Sequence, residues 1–180
     1  MGKLTVTAFT TLDNVCEDPH LWSGPFFAIE GAGKLNDEVL QEADALLLGR
    51  VTYDGFAPAW SARSGDPFAD KFNAMPKHVV TTTLERADWN NTSIIREDVV
   101  ENVRRLKQDQ NVLVWGSPGL LETLMEAGLV DEYVLLVSPI VRGSGKKYLP
   151  EGGAQHDLRV AEVRQLDGGM VGIRLTPAAA

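Results

Sequence analysis

From Asn111 to Leu149 the chain reads NVLVWGSPGLLETLMEAGLVDEYVLLVSPIVRGSGKKYL: a strand, a turn, a helix and a second long strand in unbroken succession. Val112–Trp115 is an apolar run without alternation, the pattern of a central strand buried on both faces. Gly116 ends it. Ser117 is an N-cap residue, Pro118 fits the first helical position, and Leu120, Leu121, Leu124 and Met125 share one helical face before Gly128 closes the helix. Two strands joined through such a helix form a βαβ unit and run parallel. A glycine-bordered turn that opens a helix also presents free backbone N–H groups and the positive end of the helix dipole, which favours a phosphate. Gly116-Ser117-Pro118-Gly119 is not the G-x-G-x-x-G of a dinucleotide fingerprint, and an ordinary strand-to-helix turn takes the same residues. The turn alone leaves both readings standing.

The rest of the chain repeats the alternation. Lys3–Phe9 reads as a first strand, rich in Val, Thr and Phe, followed by a turn over residues 10–14. Val15–Lys34 carries Pro19, Gly24, Pro25, Gly31 and Gly33 among Trp22, Phe26 and Phe27, and reads as a long irregular segment. Its rings suit either a binding loop or a loop packing its own aromatics on the core. Asn36 is the expected cap of a helix with Asp37 and Glu38 in its first turn. Ala45–Leu48 is a second buried strand running into Gly49-Arg50-Val51-Thr52-Tyr53, again a strand opening a helix. A polar loop over Trp60–Pro67, a helix over Phe68–Met75, and strands over His78–Thr82 and Thr92–Ile95 follow. Asp98 and Glu101 form a capping-box pattern for a helix over residues 99–106. After the central unit, Asp131–Val141 is a long strand whose Pro139 marks an edge or bulge. Asp157–Leu166 and Met170–Thr176 form a hairpin about Asp167-Gly168-Gly169, and Pro177–Ala180 is a frayed end. Parallel units and an antiparallel hairpin together predict an α/β domain spanning residues 1–180, with a mixed, mostly parallel sheet of about eight strands flanked by helices.

Charge and composition narrow the function. Seventeen Lys and Arg against twenty-five Asp and Glu give a net charge of −8 at pH 7, which argues against a nucleic-acid or anionic-membrane surface. The single Cys16 excludes an internal disulfide framework, and the start MGKLTVTAF shows neither a signal peptide nor a spanning helix, so a cytoplasmic location is expected. His20, His78 and His156 have no metal-ligand spacing and no G-x-S-x-G is present, so neither metal nor serine chemistry is expected. Gly143-Ser144-Gly145-Lys146 lacks the leading Gly and trailing Ser or Thr of a P-loop and reads as a turn.

Three turns remain that follow strands: Gly49-Arg50-x-Thr52, Thr81-Thr82-Thr83 and Gly116-Ser117-Pro118-Gly119. Ligands of open α/β sheets sit outside the carboxyl ends of the strands. Three such turns on one edge suit an extended cofactor with several phosphates. A lone Arg50 is ordinarily a solvated cation, but its place directly after a buried strand favours a binding role.

The ordered set Leu46-Leu47-Leu48-Gly49-Arg50-Val51-Thr52-Tyr53, Met75-Pro76-Lys77-His78-Val79-Val80-Thr81, Val114-Trp115-Gly116-Ser117 and Gly128-Leu129-Val130-Asp131-Glu132 resembles the dihydrofolate reductase superfamily. Within it, the chain is similar to stand-alone relatives of the reductase domain of riboflavin biosynthesis, from Lys3 to about Leu149. The resemblance implies an NADPH-dependent reductase of a small-molecule substrate, on an eight-stranded mixed sheet, commonly a homodimer. It implies that Gly49, Arg50 and Thr52 hold the pyrophosphate side, and that Thr81, Thr82 and Thr83 lie near the adenosine 2′-phosphate. Gly116, Ser117, Gly119, Leu120 and Leu121 would line the other face of the dinucleotide, and Ala8, Leu12 and Asp13 the nicotinamide. For the substrate, Asp37 or Glu38 is a candidate carboxylate, and Trp22, Phe56 and Trp60 are candidate stacking rings, unless these aromatics belong to the core. The proton that completes reduction would come from Asp13 or from a bound water. Two departures stand out: Pro118 replaces a glycine and removes one N–H donor, and Asn14 replaces another glycine at a position where Asn tolerates the left-handed region. No Pro-Cys-x-x-Cys is present in these residues, so a fused zinc deaminase is not expected and a riboflavin role does not follow. The rival expectation is a dimeric scaffold that keeps the fold without cofactor use.

Overall fold

The computed structural model describes residues 1–178; Ala179 and Ala180, the last two of the expected frayed end, lie outside the described residues. Strand β1 (Leu4–Thr11) is buried along its whole length. Two short helices, α1 (Pro19–Trp22) and α2 (Gly24–Phe27), precede α3 (Glu30–Glu42). Then come β2 (Ala45–Gly49), α4 (Arg50–Trp60), α5 (Pro67–Ala74), β3 (Lys77–Val80), β4 (Thr92–Ile95) and α6 (Val99–Asp109). The last third holds β5 (Val112–Trp115), α7 (Pro118–Glu126), β6 (Glu132–Ser138), β7 (Leu158–Gln165) and β8 (Val171–Pro177).

The strands form one eight-stranded sheet in the order β4-β3-β2-β5-β1-β6-β8-β7, parallel from β4 to β6 and antiparallel for β6-β8 and β8-β7. The expected mixed sheet is therefore present, with β1 inserted between β5 and β6. Period-two alternation divides the side chains. Phe9, Leu48, Leu113, Val134 and Leu136 pack with α3 and with Phe72 of α5. On the opposite face Val6, Ala8, Leu47 and Val114 pack with Val103 of α6 and with Leu121 and Leu124 of α7. The parallel strands therefore bring the ends of β1, β2, β3 and β5 to one edge. Among the described residues no helix is long and apolar enough to cross a membrane.

Several local expectations are corrected. Helix α3 starts at Glu30, six residues before Asn36, because Ala32, Leu35, Val39 and Leu40 form a buried stripe that begins in its first turn. Asn36 is inside the helix, buried, and its Oδ1 has no partner. Ser117 and Asp98 stand at N-cap positions, but with φ of 58° and 52° neither side chain caps its helix. Strand β6 stops at Ser138, directly before Pro139, which has no N–H to continue a ladder. Trp60 closes α4 and does not open a loop. Pro177 belongs to β8, and the Ala178 N–H donates to the Asp157 carbonyl at 2.8 Å. The hairpin forms as expected, turning on Gly168 and Gly169 at φ of 68° and 78°, a region that glycine enters without a Cβ clash.

Candidate functional site

The turns after β2 and β5 are bonded to each other. The Gly49 N–H donates to Ser117 Oγ at 2.9 Å, Ser117 Oγ donates to the Trp115 carbonyl at 3.1 Å, and the Ser117 N–H donates to Thr52 Oγ1 at 3.1 Å. Gly116 and Ser117 are consecutive left-handed residues, at φ of 59° and 58°. A Cβ on Gly116 would stand 3.5 Å from Thr52 Oγ1, and one on Gly49 3.5 Å from Ser117 Cβ. Gly49, Thr52, Gly116 and Ser117 thus form a joint that holds the first turns of α4 and α7 side by side.

The two helix starts differ in what they offer. In α7, Pro118 has no N–H and the Leu120 and Leu121 N–H groups donate to the Ser117 carbonyl, both at 3.0 Å. Gly119 carries the remaining first-turn amide of α7. In α4, the N–H groups of Val51 and Thr52 stand in the first turn, ahead of the first intrahelical bond, while the parallel register that pairs Gly49 with Val80 turns the Arg50 N–H toward β3. First-turn amides beside a cation fit a phosphate.

Arg50 is held beside them. Its Nε contacts both Asp54 oxygens, at 2.8 and 2.7 Å, and its Nη1 donates to Thr83 Oγ1 at 3.2 Å. Thr81 Oγ1 accepts from the N–H groups of Thr83 and Leu84, both at 3.1 Å, and so shapes the turn after β3, while Thr82 and Thr83 are exposed. A second cation arrives from a stretch that reads as a plain turn: Lys146 Nζ lies 3.7 Å from the position of a Cβ on Gly119. No local signal marks it, because the contact depends on how residues 140–149 fold back.

That fold-back also fixes Asp13. Its Oδ1 accepts from Thr11 Oγ1 at 2.6 Å and from the Arg142 N–H at 3.1 Å, and its Oδ2 accepts from the Gly143 N–H at 2.8 Å. The Thr11 hydroxyl and then these two amides hold its carboxyl well below the usual carboxylate range. Lys147 Nζ donates to the Asp13 carbonyl at 2.6 Å. An ionised carboxylate with these partners straps the loop and is a poor proton donor, which favours the bound water of the two expected acids. Asn14 is left-handed, at φ 66°, as expected, and its side-chain amide bonds both the N–H and the carbonyl of Leu149.

Other expected contacts are placed differently. Ala8, Leu120 and Leu121 are buried in the core beneath the joint, and Leu12 is 68% exposed. Phe56 and Trp60 belong to an aromatic cluster: Trp60 lies 4.9 Å from Phe72, and Phe56 lies 6.5 Å from Trp115, between ring centroids. Trp22 lies at the rim of this core, its indole N–H donating to the Glu17 carbonyl at 2.9 Å. Phe27, half exposed and 4.5 Å from Phe9, is an open ring that the sequence did not single out. Glu38 is taken by Arg164 and Arg174, and Asp37 is exposed in mid-helix, so neither is a buried substrate carboxylate.

Known proteins share this architecture. The chain is 27% identical over 143 residues to the uncharacterized protein YyaP of Bacillus subtilis, covering 76% of this chain and 75% of that one. The crystal structure of a pyrimidine reductase-like protein from Corynebacterium diphtheriae superposes with a TM-score of 0.76 at 11% identity, over 99% of this chain and 93% of that chain. A diaminohydroxyphosphoribosylaminopyrimidine deaminase/5-amino-6-(5-phosphoribosylamino)uracil reductase from Thermotoga maritima superposes at 0.69 and 18% identity, over 98% of this chain and 57% of that chain. Both likenesses show the dihydrofolate reductase-like fold. The family model described as the RibD C-terminal domain matches residues 2–172, and with the fold and the strand-end turns in place, the chain belongs to the RibD C-terminal domain family.

Proposed function

We propose that the protein is an NADPH-dependent reductase of a small heterocyclic or otherwise conjugated substrate, of pterin or pyrimidine type. The observation that carries the reading is the joint between Gly49, Thr52 and Ser117, which sets the first turn of α4, with Arg50, beside the start of α7. Bound there, a reduced nicotinamide dinucleotide supplies a hydride. The α4 amides and Arg50 bind its phosphates, Thr82 and Thr83 lie near the adenosine phosphate, and Lys146 screens charge at Gly119. The substrate stacks on Phe27 and Trp22 at the rim of the aromatic cluster, beyond the strapped loop. With Asp13 ionised and engaged, water supplies the proton. Membership of a family that includes a phosphoribosylaminouracil reductase supports pyrimidines as first substrates to try.

Two features favour the second reading, a scaffold without cofactor use: Pro118, and the capture of the Leu120 and Leu121 amides by Ser117. A screen separates the two. Purified protein is incubated with NADPH and a panel of dihydropterins, aminouracils and conjugated carbonyl compounds, and loss of NADPH absorbance is followed. Substrate-dependent oxidation supports the reductase; no oxidation, combined with no NADPH binding by calorimetry, supports the scaffold.

A further inference from the structure

Helix α7 carries two carboxylates where its own electrostatics disfavour them. Glu122 and Glu126 are exposed one turn apart, and Glu126 is the last residue of the helix, at the negative end of its dipole. The last turn holds no basic residue, and the ion pairs formed among the described residues leave both glutamates out. Both line a hollow of about 150 Å³, the size that holds one benzene ring. Its other walls are mostly apolar: Met125 of α7, Leu149 and Pro150 beyond the buried Tyr148, and Leu158 at the start of β7. His156 also lines it, an imidazole and not a fixed cation. An apolar hollow beside two unpaired carboxylates is complementary to a cation on a small apolar body.

We propose that this hollow binds a small organic ammonium ion, its ring or branched chain against Met125, Leu149, Pro150 and Leu158 and its charge at Glu122 and Glu126. The net charge of −8 draws cations to the surface. A seat for one ring does not track an extended chain, which sets a small amine ahead of a basic peptide. The occupant also reaches the first loop. The Leu149 N–H donates to Asn14 Oδ1 at 3.1 Å, and the Leu149 carbonyl accepts from Asn14 Nδ2 at 3.0 Å. Asn14 follows Asp13, whose carboxylate accepts from the Arg142 and Gly143 amides. A cation bridging α7 and Leu149 therefore holds the Asn14 clamp shut, which makes the hollow an effector site for that loop.

Calorimetry of the full chain with phenethylammonium, 2-phenylethanol and trilysine tests the site, with Glu122→Gln/Glu126→Gln and Ala154→Phe beside the wild type. Ala154 lines the hollow and is exposed, so the added ring fills the space without entering the core. Phenethylammonium is expected to bind at about 1 mM or tighter. The alcohol, the peptide and the double glutamine variant are each expected to weaken binding at least about fivefold, and Ala154→Phe to abolish it. Thermal melts check that both variants are folded. Hydrogen exchange read by NMR tests the link to the loop: at about ten times the Kd of phenethylammonium, the Leu149 amide should exchange at least about threefold more slowly. No binding of phenethylammonium, equal binding of the alcohol or the peptide, unchanged affinity in either folded variant, or no protection at Leu149 overturns the inference. None of these groups belongs to the joint of Gly49, Thr52 and Ser117, so failure here leaves the reductase reading standing.

Discussion

The Gly49 N–H donates to Ser117 Oγ across 2.9 Å and 68 residues of sequence, and this bond ties the first turns of two helices into one joint. Ser117 supports it at a backbone cost, since a non-glycine residue at φ 58° is strained by about 1 kcal/mol. The substitutions Ser117→Ala and Ser117→Gly separate bond from strain. Ser117→Ala is expected to lose about 1–2 kcal/mol, with Gly49 left unpaired and the strain kept. Ser117→Gly recovers part of that loss by relieving φ, and both variants bind NADPH more weakly. Urea unfolding and calorimetry check this. Equal stability of the two variants would mean that strain at 117 is negligible.

Asp13 is expected to be structural. Asp13→Ala frees the Arg142 and Gly143 amides, loosening the strap over the first loop. Proteolysis near residues 142–145 should rise, and KM for any identified substrate should rise more than kcat falls. The acid limb of the pH–rate profile should remain where it is in the wild type. Loss of that limb with an intact strap would return Asp13 to the role of proton donor.

Glu132 anchors a charge network with Lys3 at 2.8 Å and Arg174 at 3.2 Å. Burial raises its pKa, but Lys3 and then Arg174 outweigh that, leaving it below the usual 4.5. A carboxyl depressed on folding contributes stability above its unfolded pKa and loses it as pH falls through the folded value. Glu132→Gln is therefore expected to cost about 1 kcal/mol at pH 7, because Lys3 and Arg174 lose their nearest carboxylate while Arg174 keeps Glu38, Glu42 and Glu162. The gap from wild type should close below the usual 4.5. Thermal melts across that range test it; a gap independent of pH would show that packing, not charge, is lost.

Lys77 is fully buried, its ammonium donating to the carbonyls of Asn73, Met75 and Asn90 at 2.7, 2.9 and 3.1 Å. Burial pulls its pKa down to about 8. Lys77→Met leaves three carbonyls without that partner and is expected to destabilise by about 3 kcal/mol. Between about 8 and the usual 10.5 the unfolded chain binds the extra proton, so wild-type stability should rise with pH relative to Lys77→Met. A flat difference over that window would mean that Lys77 stays charged in the folded chain.

Buried runs such as Val112–Trp115 and Ala45–Leu48, and the hairpin about Gly168 and Gly169, were legible because their signals are local: apolar continuity, and glycines where a turn needs positive φ. The start of α3 was not. The Asn-Asp-Glu signal at 36–38 lost to the buried stripe beginning at Ala32, a tertiary effect that propensity does not contain. Gly49, Arg50 and Gly116 were found as turn residues, yet the mutual bonding of Gly49, Thr52 and Ser117 joins positions 65 and 68 residues apart. Asp13 was read for its chemistry alone, and its partners lie 129 and 130 residues further on. Phe56 and Trp60 carried the ambiguity of every large aromatic, and the packing around Phe72 resolves it toward the core.

The most direct test is a titration of the purified chain with NADPH and, in parallel, NADH. It is followed by quenching of Trp115, which adjoins the joint, confirmed by calorimetry, and repeated with Arg50→Ala. Micromolar NADPH binding, at least about tenfold weaker NADH binding, and a loss of about tenfold in Arg50→Ala are the expected results. Absence of binding to both nucleotides by both methods would contradict the reductase reading and leave a fold kept for another purpose.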